Sequence, residues 1–270
     1  MTPNITIIGA GMMGGAIIKS LIKGKIPPSS ITAVDVQADK LTEFKALGTK
    51  TDTDNSKAAA TADIIFIIVK PGDVANILNE ISPHIKDKLV ISAAATVPLN
   101  FLCKNSPAET KTVRIMPNLG AMVQASYTAY CCSKNTTITD KETLTTLLTL
   151  MGTCAEVDEK YMDAITGVSG SGPGYMSIII EALTYAGLKV GLPHSIALNC
   201  AAQTVLGTAK LITDLHEEPA HIKDMTTTPG GTTIEAIYQI EQSQIRPAMI
   251  RAIEEATKKS QVIREKLNLQ

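Results

Sequence analysis

The first half of the chain alternates short apolar runs with stretches whose apolar residues recur at helical spacing. The runs are mainly hydrophobic rather than alternating, as is typical of parallel strands covered on both faces. Strands are predicted over residues 5–8, 31–34, 64–69, 89–91 and 113–115, with 126–133 as a further candidate. Helices are predicted over about 12–23, 39–47, 73–81 and 141–151. The alternation predicts an α/β fold, with an N-terminal Rossmann-like, doubly wound sheet over residues 1–157.

Beyond about residue 158 the strand pattern stops. The segments "GPGYMSIIIEALTYAGLKVG" (172–191) and "LPHSIALNCAAQTVLGTAKLITDL" (192–215) predict two helices, each with proline near its start. The second is apolar or small on nearly every side, so it needs burial that this half of one chain can hardly supply. We therefore expect residues 158–270 to form a C-terminal all-helical dimerisation domain, most simply in an interlocked homodimer. Residues 246–267 predict an ordinary amphipathic helix.

Composition narrows the possible partners. The chain has 25 basic and 26 acidic residues in 270, a balance that gives no general attraction to nucleic acid or to an anionic membrane. Its longest wholly apolar run, residues 64–69, is far below the roughly 20 residues needed to span a bilayer. The N-terminus lacks the features of a signal peptide. Five cysteines without a CxxC pair favour a reducing cytoplasm. No metal site is expected.

The segment "ITIIGAGMMGGAI" (5–17) carries the first chemical motif. Gly9, Gly11 and Gly14 fit G-x-G-x-x-G directly after a predicted strand and at the start of a predicted helix. Such glycines allow a tight turn and let a pyrophosphate approach the helix N-terminus, where free N–H groups favour negative charge. The motif predicts dinucleotide binding. The alternative is close packing of helix against strand alone.

Polar and small residues follow the next predicted strands. Asp35 lies about 20 residues beyond the glycine turn, where a carboxylate binds the adenosine ribose hydroxyls and repels a 2′-phosphate. A carboxylate at this position favours NADH. However, Asp35 could equally point to solvent, and Lys40 lies one helical turn further along the chain. The cofactor is therefore left open as NADPH or NADH. Lys70 and Pro71 follow the third strand, at the sheet edge where open α/β sheets bind ligands. The alternative is a solvated lysine at the start of a loop.

The segment "TTPGGTTI" (227–234) contains no charged residue and directly precedes a helical pattern. Pro229 restricts φ and the two glycines remove side-chain obstruction, so the amides from about Gly231 to Thr233 can bind one carboxylate. The alternative is a helix whose own threonines cap its amides. The four histidines are scattered and form no triad. A nicotinamide hydride transfer needs few protein acid–base groups beyond those that orient the substrate.

Together these motifs resemble the pyrroline-5-carboxylate reductase family over essentially the whole chain. The resemblance rests on "IGAGMMGGAI", "IIVKPGDV", "RIMPNLGA", "SGSGPGY" and above all "TTPGGTTIEAI". It implies NAD(P)H-dependent reduction of the C=N bond of 1-pyrroline-5-carboxylate to L-proline, the last step of proline biosynthesis. It also implies a homodimer, in many members assembled into a larger ring of dimers.

The resemblance assigns roles to individual residues. The loop of Gly230, Gly231, Thr232 and Thr233 would bind the substrate carboxylate through backbone N–H groups, and the catalytic Thr233 hydroxyl would reach the ring nitrogen. Glu159 matches an acidic residue near the substrate in some members. The residues predicted to contact the cofactor, from motif and resemblance together, are Gly9, Ala10, Gly11, Met12, Met13, Gly14, Asp35, Asn55, Val69, Lys70, Pro71, Ala94, Ala95 and Asn118.

The chain departs from the family pattern at several positions. Thr96 stands where many members have glycine, and Met225 where some have asparagine. Asp35 stands where several have Asn or Ser followed by Arg, which leaves the cofactor preference open.

Two other functions fit parts of the sequence. A β-hydroxyacid dehydrogenase would show G-x-x-G-x-G-x-x-x-K; Gly167, Gly170 and Gly172 match, but Met176 occupies the lysine position. A non-catalytic dinucleotide sensor would not need a second binding site for a small anion.

Overall fold

The computed structural model describes residues 2–267, so Met1 and residues 268–270, at the outer ends of the two predicted domains, lie outside the described residues. The described chain forms one eight-stranded sheet in the order β3-β2-β1-β4-β5-β6-β7-β8. The strands are β1 (Ile5–Ile8), β2 (Ile31–Val34), β3 (Lys50–Asp52), β4 (Ile64–Ile67), β5 (Leu89–Ser92), β6 (Lys111–Met116), β7 (Ser126–Cys132) and β8 (Gly152–Glu156).

Helices follow most strands and make up most of the described chain beyond β8. They are α1 (Met12–Lys23), α2 (Thr42–Ala46), α3 (Asn55–Thr61), α4 (Val74–Ile81), α5 (Leu99–Lys104), α6 (Ile138–Thr149), α7 (Met162–Ile165), α8 (Gly172–Lys189), α9 (His194–Leu215), α10 (Pro219–Met225), α11 (Thr232–Gln242) and α12 (Ile245–Lys266). A π-helical turn, Thr166–Gly170, directly precedes α8.

The sheet topology is doubly wound, as predicted. Strands β1 to β6 are parallel, β7 runs antiparallel to β6, and β8 is parallel to β7. The chain moves outward from β1 through β2 to β3 and then returns to place β4 on the other side of β1. The carboxyl ends of β1 and β4 therefore flank a topological switch point, where open α/β sheets bind their ligands.

Both faces of the sheet are covered, which explains the continuous apolar runs. Ile5 and Ile7 pack into one buried cluster with residues of α1, whereas Ile8 packs into a second cluster with residues of α3 and α4. Successive side chains of a strand point to opposite faces. Each central strand therefore needs apolar residues at most of its positions.

Six elements were not predicted from the sequence: β3, β8 and the short helices α3, α5, α7 and α10. Strands β3 (KTD) and β8 (GTCAE) are the two edges of the sheet and are only partly buried, so they lack the apolar run of a central strand. Helix α3 is short, and its signal is the cap Asp54, whose carboxylate accepts from the Lys57 amide at 2.9 Å. The helix predicted over 39–47 is divided into a 3₁₀ turn, Ala38–Leu41, and α2.

The chain forms two compact units, Met1–Ser171 with Glu254–Gln270, and Gly172–Ile253. The boundary predicted between residues 157 and 158 stays a prediction. In the first unit the end of α12 is fixed to α7, because the buried Asp163 accepts from Ser260 Oγ at 2.7 Å and from Arg264 Nη1 at 2.8 Å. In the second unit α8 packs on α9, and within α9 only Ala197 and Ala201 are buried.

Candidate active site

The three glycines of the turn after β1 have different reasons to be glycine. Gly9 has φ +99°, and a Cβ there would clash with the Ile68 carbonyl. A Cβ on Gly14 would clash with the Gly9 carbonyl. A Cβ on Gly11, in contrast, would meet no heavy atom within 4 Å. Close packing explains the first and third glycines but leaves the open space beside the second for a ligand.

That open space adjoins the N-terminus of α1. Gly11 is the N-cap residue and forms no side-chain cap, and the first turn contains no acidic residue. The first-turn amides of Met12, Met13 and Gly14 have no acceptor within the helix. Free amides and the positive end of the helix dipole bind a phosphate group well. These residues therefore fit the pyrophosphate of a dinucleotide.

Cavities on both sides of the glycine turn bring seven predicted cofactor residues together. One of about 330 Å³ is lined by Gly9, Asp35, Asn55 and Val69, from four separate segments. A second of about 350 Å³ is lined by Ala10, Gly11 and Met12. The turn therefore lies at the centre of a continuous set of predicted contacts.

Asp35 binds the glycine turn directly. Its Oδ2 accepts from the Ala10 amide at 3.0 Å and its Oδ1 from the Gln37 amide at 3.0 Å, while Lys40 Nζ lies 3.7 Å from Oδ1. The side chain is only 9% exposed, so the alternative in which it points to solvent is wrong. The carboxylate fixes the end of β2 to the turn that follows β1.

The remaining predicted cofactor residues follow β4, β5 and β6. Lys70 is exposed and Pro71 begins a 3₁₀ turn after β4. After β5, Ala95 is half-buried, whereas Ala94 is buried in the core, so any contact from Ala94 is made by its backbone. Asn118, after β6, is half-buried. Their contacts with the cofactor stay predictions.

Two predicted side-chain amides are already held by partners. Asn118 donates to Ser169 Oγ at 3.0 Å and accepts from the Gly120 amide at 2.9 Å, which ties the end of β6 to the π-helical turn. Asn55 donates to Glu80 Oε2 at 2.8 Å. Both side chains are therefore fixed in orientation.

Residues on α4 that were not predicted from the sequence also line one of these two cofactor cavities. They are Asn76, Ile77 and Glu80, preceded by Asp73, and the cavity is the one of about 330 Å³ that Asp35 lines. Their spacing of three to four residues places them on one face of a helix. That periodicity, combined with the position of α4 directly after β4, is the signal that would have found them.

Glu159 is engaged by two groups of its own compact unit. Its Oε1 accepts from Arg114 Nη1 at 3.0 Å and from the Leu99 amide. Arg114 is the largest fully buried side chain of the core, with 2% exposure. Glu159 therefore joins β6 to the start of α5. Its predicted contact with the substrate stays a prediction.

The threonine-rich loop leads into α11 as predicted. Gly230 has φ +65°, a conformation that favours glycine. Gly231 is the N-cap residue and has no side chain to cap the helix, but its own N–H donates to Thr228 O at 3.0 Å. The expectation that the Gly231 amide is free is thus wrong, because it closes the turn. The amides of Thr232 and Thr233 are left at the helix start without an acceptor inside the helix.

Within residues 2–267, no group of three His, Cys, Asp or Glu side chains is placed to hold a metal ion. Over the same range no helix is long and apolar enough to cross a membrane.

Comparisons with known proteins agree with this geometry. A family model described as pyrroline-5-carboxylate reductase dimerisation matches residues 159–263, and one described as NADP oxidoreductase coenzyme F420-dependent matches residues 4–96. The pyrroline-5-carboxylate reductase of Methanosarcina acetivorans is 38% identical over 265 residues, covering 97% of this chain and 98% of that protein. That of Escherichia coli is 36% identical over 264 residues, covering 97% and 98%.

Solved structures give the same result. The pyrroline-5-carboxylate reductase of Coxiella burnetii superposes with a TM-score of 0.89 at 31% identity, covering 97% of this chain and 98% of that one. The Plasmodium falciparum enzyme with NADP bound gives 0.88 at 29% identity, covering 96% and 97%. The predicted fold class, the resemblance and the assignment as an NAD(P)H-dependent oxidoreductase are confirmed. The chain belongs to the pyrroline-5-carboxylate reductase family.

Proposed function

We propose that this protein reduces the C=N bond of 1-pyrroline-5-carboxylate with NADPH or NADH to give L-proline. The proposal rests on the presence of two different candidate anion-binding sites in one chain. One is the glycine turn at the switch point of the sheet, and the other is the uncapped start of α11 in the threonine-rich loop. A dinucleotide and a small carboxylate are the two anions that this reaction brings together.

The residues of the chain bind and orient the reactants. Amides at the start of α1 hold the pyrophosphate of the cofactor, whose nicotinamide supplies the hydride. Amides of Thr232 and Thr233 hold the substrate carboxylate, with about 1.5 to 3 kcal/mol from each hydrogen bond to a charged group. Thr233 Oγ hydrogen-bonds the ring nitrogen and so fixes the face of the imine that is reduced.

The reaction requires no strong protein acid. The imine nitrogen takes a proton from solvent, which makes its carbon electrophilic, and the product carries one added hydride and one added proton. Orientation of a bound pair can by itself lower a barrier by several kcal/mol, roughly 7 to 11 in favourable cases. This agrees with a loop rich in hydroxyls and amides in which no histidine or lysine is present.

We further propose a preference for NADH. The cofactor cavity of about 330 Å³ is lined by the carboxylates of Asp35, Asp73 and Glu80, and the described residues that line it include no lysine or arginine. An added 2′-phosphate there would meet like charge.

The active form in this proposal is a homodimer in the cytoplasm, with a larger ring of dimers as a further level of assembly. The homodimer is supported by the match to the dimerisation model and by exposed apolar residues along α8 and α9. The cytoplasmic location is supported by five cysteines that are all free.

The two alternatives are less well supported. Met176 stands where a β-hydroxyacid dehydrogenase carries its lysine, and a thioether cannot transfer protons. A sensor would bind a dinucleotide without turnover. The test is oxidation of NADH and of NADPH, followed separately at 340 nm with 1-pyrroline-5-carboxylate. Turnover with L-proline as product is expected; binding without turnover would favour the sensor instead.

A further inference from the structure

The loop of residues 93–98, between β5 and α5, is held at both ends by Arg114 and Glu159. At its first end, Ser92 is paired with Arg114 in the register of β5 and β6. At its second end, the Leu99 amide and Arg114 Nη1 share one acceptor, Glu159 Oε1. The backbone of Arg114 thus lies beside the start of the loop, and its buried guanidinium is linked through one carboxylate to the end of the loop. We call Arg114 and Glu159 the clamp.

Thr96, inside this loop, has a strained backbone. Its φ is +70°, in the left-handed region that β-branched residues rarely adopt. Its side chain is 3% exposed, and its hydroxyl has no hydrogen-bond partner. Among the described residues, Arg114 Nη2 is the other buried side-chain polar atom without a partner. A strained residue with a buried unpaired hydroxyl persists only when the surrounding structure imposes its conformation.

The position of the loop gives that strain a functional meaning. Asp35 after β2 lies on the adenosine side of the glycine turn, so the strands on the opposite side of β1 lead to the nicotinamide. The loop after β5 is two strands away in that direction. It contains Ala94 and Ala95, both predicted to contact the cofactor.

We propose that Arg114 and Glu159 are positioning residues for the nicotinamide end of the cofactor site. The clamp holds residues 93–98 in the conformation that Thr96 by itself disfavours, so that the loop backbone is preset before the cofactor binds. This rests on the proposed function, and it gives Glu159 a role toward the cofactor instead of the substrate.

The first test is Glu159→Gln, which keeps an acceptor for the Leu99 amide and removes the charge that pairs with Arg114. We expect the Kd for NADH, measured by fluorescence without substrate, and the KM for NADH to rise about tenfold. The kcat and the KM for the imine should change less than twofold. Glu156→Gln, on the neighbouring β8, is the matched control and should leave all four values unchanged. A raised KM for the imine with normal NADH affinity would overturn the proposal in favour of a substrate contact.

The second test, Thr96→Gly, holds even if Glu159→Gln fails to fold. Glycine adopts this φ without strain and removes the unpaired hydroxyl, so the unfolding midpoint should equal or exceed that of the wild type. The Kd for NADH should nevertheless rise severalfold, because the loop gains freedom. An unchanged Kd, or a lowered midpoint, would contradict the proposal.

The double variant measures the coupling. Without strain at position 96 the clamp has less to hold, so Glu159→Gln should raise the Kd for NADH much less in the Thr96→Gly background than alone. Effects that simply multiply would show that the two sites act independently and would overturn the proposal. The Kd for NADH measured without substrate is common to all three tests, so these tests do not depend on turnover. They can fail while turnover of the imine succeeds, and the reverse.

Discussion

Thr233 is the residue on which the proposed chemistry most depends. It is the second residue of α11, half-buried, and its amide belongs to the free first turn. Thr233→Ala should lower kcat/KM for the imine ten- to a hundredfold, roughly 1.4 to 2.7 kcal/mol of transition-state stabilisation. Affinity for NADH should be unchanged, because the substitution is outside the glycine turn. Thr233→Ser keeps the hydroxyl and should retain most activity. If the Thr233→Ala enzyme kept its activity, Thr233 would only begin the helix and would have no part in the reaction.

Gly11 allows the cofactor site to be tested without disturbing the fold. A side chain at this position has open space in the protein but occupies the place of the pyrophosphate. Gly11→Val should therefore abolish dinucleotide binding in titration calorimetry while the unfolding temperature stays within a few degrees of the wild type. Gly11→Ala, with a smaller side chain, should lose affinity only in part. Normal NADH affinity in Gly11→Val would remove the assignment of this turn.

Asp35 carries both a structural and an electrostatic role, and two variants separate them. Asp35→Asn keeps an oxygen for the Ala10 amide and removes the negative charge, whereas Asp35→Ser removes both. In both variants kcat/KM for NADPH should rise relative to NADH, and Asp35→Ser should also lose stability. A wild-type preference for NADPH of tenfold, about 1.4 kcal/mol, would show that the carboxylate does not repel the 2′-phosphate.

The pairing of α8 and α9 depends on glycine at one contact. A Cβ on Gly187 would lie 2.7 Å from Ala197 Cβ, so an added methyl must push the helices apart. Gly187→Ala should destabilise the protein by about 1 to 3 kcal/mol, although alanine is the better helix former. The matched control is Gly174→Ala on the same helix, where a Cβ meets nothing within 4 Å. This variant should be neutral or slightly stabilised in thermal unfolding. Equal effects of the two would contradict close packing at Gly187.

The elements that the sequence predicted are those whose pattern is determined by burial on both sides. β4 is apolar at every position and β1 at every position except Thr6, because each face is covered, and the turn after β1 requires the motif glycines. The edge strands β3 and β8 could not be predicted in this way, because each has a sheet neighbour on one side only. The clamp of Arg114 and Glu159 joins residues 45 positions apart, and no local spacing indicates such a pair. The left-handed backbone of Thr96 likewise depends on tertiary contacts rather than on its own preference.

At the scale of the whole molecule, the expectation that α9 needs an external partner can be refined. Ala201 of α9 is buried within the single chain, so Ala201→Arg would disrupt the folded chain itself and would not report on an interface. Exposed apolar side chains on the same helix are the better probes. They include Ile196, Leu198, Leu206, Ile212 and Leu215. Apolar residues exposed in such number on one helix are a feature of association surfaces.

Leu206→Glu therefore tests the homodimer. Leu206 is 52% exposed in the single chain, so glutamate is tolerated by the monomer, but in a homodimer built on α9 it would place an unpaired charge in an apolar interface. Sedimentation velocity at micromolar concentration should show the wild type as a dimer or larger and Leu206→Glu shifted toward monomer or aggregate. The matched control is Ile138→Glu, at a residue that is 78% exposed at the start of α6 and outside the segment that matches the dimerisation model. This control should sediment like the wild type. A Leu206→Glu protein of unchanged size would place the interface elsewhere than on this part of α9. A wild type that is monomeric at every concentration would contradict the dimer itself.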